Sequence, residues 1–545
     1  MNGPRKLILA VMFVILATGF SAAASAANIY IAQNAAGGNT GADCADAFAV
    51  SWFNSSANWG SGAAQIGPGV TVHLCGTFNA PAGASNYLTF QSSGTNGSPI
   101  TLLFESGAVL TAAYWGGCAI TVGGSYLTID GGSNGIIQAT ANGTGLANQQ
   151  DNGIGICSSG AVSHIEIKNL TISNIYQHTC TEPVSNCTDQ GAQNTYGIRL
   201  LVGTNILIHN NTVHDMKWAL FLAYGMGGST SSSLNVYNNT VYNMDHGVVY
   251  GDAGSNSVLT SSNCSSAVYN NDFSDMQAWD ATGDANHHDA THFWANNAPG
   301  SSYSGACIYS NYFHGDAGVT CNSIFGMESL GNANYRFNNV VSVSGNSECA
   351  TGLIGTWTGT GSRSSSQYVF NNTLSPIAGS PVSVVFEQTA NDILENNLVL
   401  SGNSTYIYTD GASGDLATAD YNFYQTAAGA NPFYGPSGCS GGASFAAWQS
   451  SCGFDAHGQN ASMAVSGPPF TLPSGSAAIG AATNLTSLGI TALDIGAPQT
   501  FGASGSCGTG CAARPASGAW DAGAYPLQSG VTAPNPPTGL SAQVQ

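Results

Sequence analysis

The chain has 545 residues, of which 7% are charged; 8 lysines and arginines face 28 aspartates and glutamates, for a formal net charge of −20. Neutralising phosphates needs clustered basic side chains, so nucleic acid is excluded as a partner. Polyanionic sugars meet the same repulsion unless a cation such as Ca²⁺ bridges them.

Arg5 and Lys6 precede an apolar run from Leu7 to Phe20, and Ala24-Ser25-Ala26 and Ser25-Ala26-Ala27 then offer small-x-small cleavage sites. This pattern predicts a secretory signal peptide over residues 1–27. The run is too short to span a bilayer and no later stretch reaches about 18 apolar residues, so the expectation is a secreted, monomeric protein with no membrane attachment after cleavage. All 14 cysteines follow the signal, as suits an oxidising space. Proximity suggests the pairs Cys44 with Cys75, Cys180 with Cys187, Cys439 with Cys452 and Cys507 with Cys511. No C-x-x-C occurs, which points to structural disulfides and away from a metal or redox cluster.

Residues 28–116, with Trp52, Trp59 and Gly67-Pro68-Gly69, read as an N-terminal capping region, because the first unit of a stacked array would otherwise expose its apolar end. Units begin near Ala119-Ile120-Thr121-Val122 and Tyr126-Leu127-Thr128-Ile129. One phrase then recurs eight times: an apolar residue, a spacer, one or two asparagines, a spacer, and Val, Ile, Leu or Phe. It centres on Asn169, Asn210-Asn211, Asn238-Asn239, Asn270-Asn271, Ser310-Asn311, Asn338-Asn339, Asn371-Asn372 and Asn396-Asn397. From Asn210 onward the steps are 28, 32, 40, 28, 33 and 25 residues. Such a period signals stacked supersecondary units. Within each unit the segments are short, β-branched and aromatic, alternate with period two and are bounded by Gly, Asn, Asp and Ser, so they are strands. The asparagine suits a tight corner, since its amide tolerates left-handed backbone and can bond up the stack.

On these phrases the sequence resembles the right-handed parallel β-helix, pectate-lyase-like family, over roughly residues 127–424. The predicted fold is all-β: a β-helix over 117–424, a small closing region over 425–527 and a Pro-rich tail over 528–545. That fold hosts lyases, hydrolases, epimerases, tailspikes and adhesins, so activity has to be argued from the site.

Aligning the coils by the step after each phrase matches Gly197–Leu201, Ala219–Ala223, Gly247–Gly251, Ala290–Trp294, Ser323–Met327 and Gly352–Thr356. Alternation then predicts an outward row of Arg199, Phe221, Val249, His292, Phe325 and Ile354, with Trp294 beside it. Phe221, Trp294 and Phe325 are the candidate sugar-stacking residues, because flat rings suit the apolar faces of pyranoses. The densest ionisable stretch, Asp280 to Trp294, lies in the coil with the longest step, and His288, Asp289 and His292 are its candidate catalytic groups, with Asp252 and Glu328 from adjacent coils and Arg199 on the same row. His288 and His292 cannot share one metal along a strand, where their attachment points stand about 13 Å apart. Asp280 and Asp284 are candidate oxygen ligands for Ca²⁺. A glycoside hydrolase would need an acid and a base or nucleophile from such carboxyls; a polysaccharide lyase would need a base and a cation to stabilise the enolate. The family's basic cluster, the Asp-Pro-His of alginate epimerases and the polygalacturonase aspartate pattern are all missing from the sequence. The expectation is a protein that binds and cleaves an extracellular polysaccharide; the alternative is a non-catalytic adhesion or glycan-binding module.

Overall fold

The computed structural model describes residues 27–178, 195–201, 203–224, 230–251, 258–280, 287–294, 302–328, 331–357, 364–376, 382–402, 405–412, 414–426, 431–436, 438–504 and 511–527. The chain is a parallel β-helix built on three ladders. The first face starts with Asn28–Ala32, Thr71–Leu74 and Ile100–Phe104, paired in parallel and in register. The second starts with Thr77–Asn79 and Val109–Ala112. The third runs from Leu88–Thr89 through Cys118–Val122 and Ile154–Ser158 to Tyr196–Leu201. One continuous apolar core fills the lumen, from Ile29 and Phe53 at one end to Trp448 at the other.

The ladder begins at Asn28, about ninety residues before the point expected from the sequence. The reason is the corner residue. Between the first and second faces the early coils turn on Gly76 (φ 72°) and Gly107 (φ 78°), and the later ones on Asn169, Asn210, Asn238, Asn270, Ser310, Asn338, Asn371 and Asn396, all at φ between 51° and 63°. Both residue types accept left-handed backbone, but only asparagine leaves a visible phrase. The N-terminal plug is correspondingly small: a one-turn helix, Val50–Phe53, sets Phe53 edge-on to Trp59 and Phe90 over the first coils.

The second asparagine of each pair points inward and forms a ladder. Asn211 donates through its backbone N–H and its Nδ2 to Asn239 Oδ1, both at 3.0 Å. The same pair of hydrogen bonds repeats from Asn239 to Asn271, Asn311, Asn339, Asn372, Asn397 and Asn422. The last donor pair ends on Asp455 Oδ1 at 3.2 and 2.9 Å, and Asp455 Oδ2 accepts from Tyr424 Oη and Trp448 Nε1. An acceptor-only side chain thus closes a series of donors. Trp448, on the helix Phe445–Ser450, stacks on Phe433 and seals that end.

The remaining C-terminal segment turns back along the asparagine corner. Gly523 N–H donates to Asn396 O, Asn338 Nδ2 to Ile495 O, and Gly502 N–H to Asn270 O. It covers a second apolar cluster that includes Phe337, Phe370, Leu398, Leu472 and Trp520. Disulfides join Cys44–Cys75 and Cys439–Cys452 as expected, and also Cys118–Cys157, Cys264–Cys307 and Cys321–Cys349. Cys180, Cys187 and Cys507 lie outside the described residues. No described helix is long and apolar enough to cross a membrane.

Candidate functional site

On the third face, strands Thr240–Gly251 and His288–Trp294 pair with His246 opposite Asp289 and Val249 opposite His292. Gly247 and Ala290 occupy the inner side of the bend between these positions; a Cβ on Gly247 would meet the Phe273 ring at 2.9 Å. That bend turns residues three apart to the same outer side, so His246, Asp289 and His292 converge, and His287 joins them from just before the strand.

Asp289 is the hub. Its Oδ2 lies 3.4 Å from His246 Nε2, 3.0 Å from His287 Nε2 and 3.5 Å from His292 Nδ1, while Oδ1 accepts from Ser323 N–H at 2.9 Å. His246 donates from Nδ1 to Asp245 Oδ2 at 2.9 Å, and His292 donates from Nε2 to Glu328 Oε2 at 3.2 Å. His246, Asp289, His292 and Asp245 are buried; the His287 side chain is 38% exposed and forms the open side. Trp218 stacks on His246 from the preceding coil, with ring centroids 4.3 Å apart.

Charge organises this corner. Burial alone would raise the Asp245 carboxyl, but His246, Lys217 and His288 outweigh it and hold its pKa below the ordinary value. Burial likewise opposes charge on His246, yet Asp245 and Asp289 lift it to about 9. Burial also works against Asp289, and its histidine neighbours keep it well below the usual carboxylate range. His292 goes the other way: desolvation dominates and lowers it.

Beside the cluster, one row runs Gly251, Trp294, Glu328 and Trp357 on successive coils. Trp294 and Trp357 are partly exposed, and their ring centroids lie 6.1 and 5.6 Å from that of His292. Glycines clear space for both. A Cβ on Gly251 would come within 3.3 Å of Trp294, and one on Gly326 within 2.7 Å of Trp357.

Of the residues singled out from sequence, Asp289, His292, Glu328 and Trp294 meet here. His288 is turned from Asp289 and backs the cluster through Asp245: its ring is fully buried, with Nε2 3.5 Å from Asp245 Oδ1 and 3.0 Å from Thr320 Oγ1, and Nδ1 3.1 Å from Ala317 O. Phe325 is a lumen residue, because the pairing of His288 with Cys321 and of Asp289 with Ser323 leaves Asn322 as an extra residue, and this bulge slides Gly326 into the outward row. Ile354 moves inward with it. Phe221 points outward but is buried in a small cluster with Tyr196, Val249, Cys118 and Cys157. Arg199 stands over the Tyr196 ring, three rungs or about 14 Å from His292. Both Asp280 oxygens accept bonds from Val319 and Thr320, which anchors that loop. Asp252 and Asp284 lie outside the described residues. His246, His287 and Trp357 were not singled out from the sequence. His246 and Asp289 immediately precede the aligned Gly247 and Ala290, so extending the alignment by one residue would have paired them.

No protein-family model matches the chain, and no curated protein sequence matches it. By structure the chain is similar to pectate lyase Pel9A, at 16% identity and a TM-score of 0.41 over 88% of this chain and 96% of that one. It is also similar to the GH136 lacto-N-biosidase from Eubacterium ramulus, at 10% identity and a TM-score of 0.40 over 68% of this chain and 64% of that one. A third is the PL6 family polysaccharide lyase Pedsa3628 from Pseudopedobacter saltans, at 12% identity and a TM-score of 0.40 over 71% of this chain and 86% of that one.

Proposed function

We propose that the protein is an exported, polysaccharide-active β-helix that binds a glycan along the Trp294–Glu328–Trp357 row and cleaves it beside His292 and Glu328. The observation that carries this reading is the pair of partly exposed indoles on glycine-cleared rungs, two coils apart, with a carboxylate between them. Stacked indoles bind the apolar faces of sugar rings, and the span from Trp294 to Trp357, about 10 Å, is that of roughly two pyranose units. Glu328, held by His292, is the group in reach to exchange a proton with the bound sugar.

The test is a wide panel of neutral and acidic polysaccharides, followed for new reducing ends and for unsaturated products. Turnover on one of them, abolished in Glu328→Gln and weakened in Trp294→Ala and Trp357→Ala with melting temperatures unchanged, supports the reading. Glycan retention that persists in Glu328→Gln without any turnover in the parent chain would make the protein a binding module. A blank panel for both cleavage and retention would overturn the proposal.

A further inference from the structure

We infer that His246, His287, Asp289 and His292 form a binding site for one divalent transition-metal ion of the zinc class. The four side chains offer His246 Nε2, His287 Nε2, Asp289 Oδ2 and His292 Nδ1, all within 4.8 Å of one another. Ligands at about 2.0–2.1 Å from a tetrahedral ion stand about 3.3–3.4 Å apart. The three nitrogens lie 3.4, 3.0 and 3.5 Å from the Asp289 oxygen, so the three edges that meet at that oxygen are near the length an ion would impose, and the nitrogens stand within 4.8 Å of one another.

Two further features separate this cluster from a chance gathering of polar groups. His292 Nδ1, Asp289 Oδ2 and His287 Nε2 are buried atoms that face one another at 3.0–3.5 Å yet make no hydrogen bond of good geometry. Buried polar atoms left in this condition are costly, and a cation at their common focus removes the cost. The outer atoms of the three buried ligands, by contrast, are held: Asp245 takes the far nitrogen of His246, Glu328 takes the far nitrogen of His292, and Ser323 N–H donates to the other Asp289 oxygen. A carboxylate behind two of the three imidazoles, those of His246 and His292, fixes their tautomers and aims the free nitrogens inward. Three imidazoles and one carboxylate select zinc, cobalt, nickel or copper over Ca²⁺ and Mg²⁺, which take oxygen shells.

The experiment uses the full exported chain, stripped with a chelator and titrated with Zn²⁺ by calorimetry and with Co²⁺ by visible absorption, no glycan being present. The expected result is one ion per chain, a Co²⁺ ligand-field band of tetrahedral intensity, and no displacement by millimolar Ca²⁺. His287→Ala, a change at the open side that leaves the strands intact, should weaken binding at least tenfold. Asp245→Asn should keep the stoichiometry and weaken affinity ten- to a hundredfold, as removal of an outer carboxylate does. Absence of stoichiometric Zn²⁺ or Co²⁺ binding to the parent chain, or unchanged binding in His287→Ala, overturns the inference. Because the readout is the ion alone, a blank polysaccharide panel leaves it standing, and failure to bind metal leaves the glycan row standing.

Discussion

The indole of Trp357 lies across Gly326, so close that a methyl group there would sit 2.7 Å from the ring. Gly326→Ala is therefore expected to push the indole out of its stacking position while leaving the ladder hydrogen bonds intact. On the polysaccharide that the panel identifies, the loss should be roughly tenfold in affinity, the scale of one aromatic stacking contact, and should match Trp357→Ala. Parent-like affinity in Gly326→Ala, measured by affinity electrophoresis, would show that the ring position does not matter.

Asn339 receives two bonds from Asn311 and passes two on to Asn372, while its Nδ2 also reaches Ile308 O. In Asn339→Ala the Asn311 N–H and one of its Nδ2 protons lose their acceptor while the other still reaches Val268 O, at roughly 1–3 kcal/mol for each orphaned group. Urea unfolding should show a loss of about 3 kcal/mol, with amide exchange rising first in the coils on either side of residue 339. A change below about 0.5 kcal/mol would mean that the ladder contributes little beyond its backbone bonds.

Asp455 accepts from four donors, two on Asn422 and one each on Tyr424 and Trp448. Replacing it with Asn would seem to extend the pattern, yet the new amide places donors against donors. Asp455→Asn should lower stability by roughly 1–3 kcal/mol, in contrast to the rungs, where Asn is the fitting residue. Circular dichroism melts of the variant decide the matter, and an unchanged or raised midpoint refutes the terminator role.

Glu166 lines a separate cavity of 400 Å³ on the first face, with Tyr126 and His164 among its walls. A hydrogen bond from His209 dominates its shift; burial opposes it, Lys168 assists, and the carboxyl falls to about 2 from its ordinary 4.5. Because the folded value is depressed, the stabilisation is present above pH 4.5 and is lost as pH falls toward 2. Glu166→Gln should cost about 1–2 kcal/mol at pH 7, after allowance for partial solvent screening, and progressively less below pH 4.5. Parallel stability–pH curves for the two proteins would exclude the linkage.

The architecture was legible because Asn210 and its equivalents must turn the corner while Asn211 and its equivalents must pair up the stack, and both demands favour one residue type. The first coils escaped notice because Gly76 and Gly107 make the same turn without a side chain to repeat. The site was half legible. Asp289, His292, Glu328 and Trp294 follow from in-register stacking, but Phe325 was misplaced by the bulge at Asn322, which no local composition announces. His287 and His288 look alike in sequence; only the start of the strand at His288 turns one toward Asp289 and the other toward Thr320.

The returning C-terminal segment bonds to the corner at Asn338 from Ile495, at Asn270 from Gly502 and at Asn396 from Gly523. In a simple solenoid each coil holds only its neighbours, and force applied to the last coil peels the rungs away one at a time. Here the returning segment crosses several coils and ties together rungs that are not neighbours. Rungs strapped in this way are held by more than the coil above and the coil below.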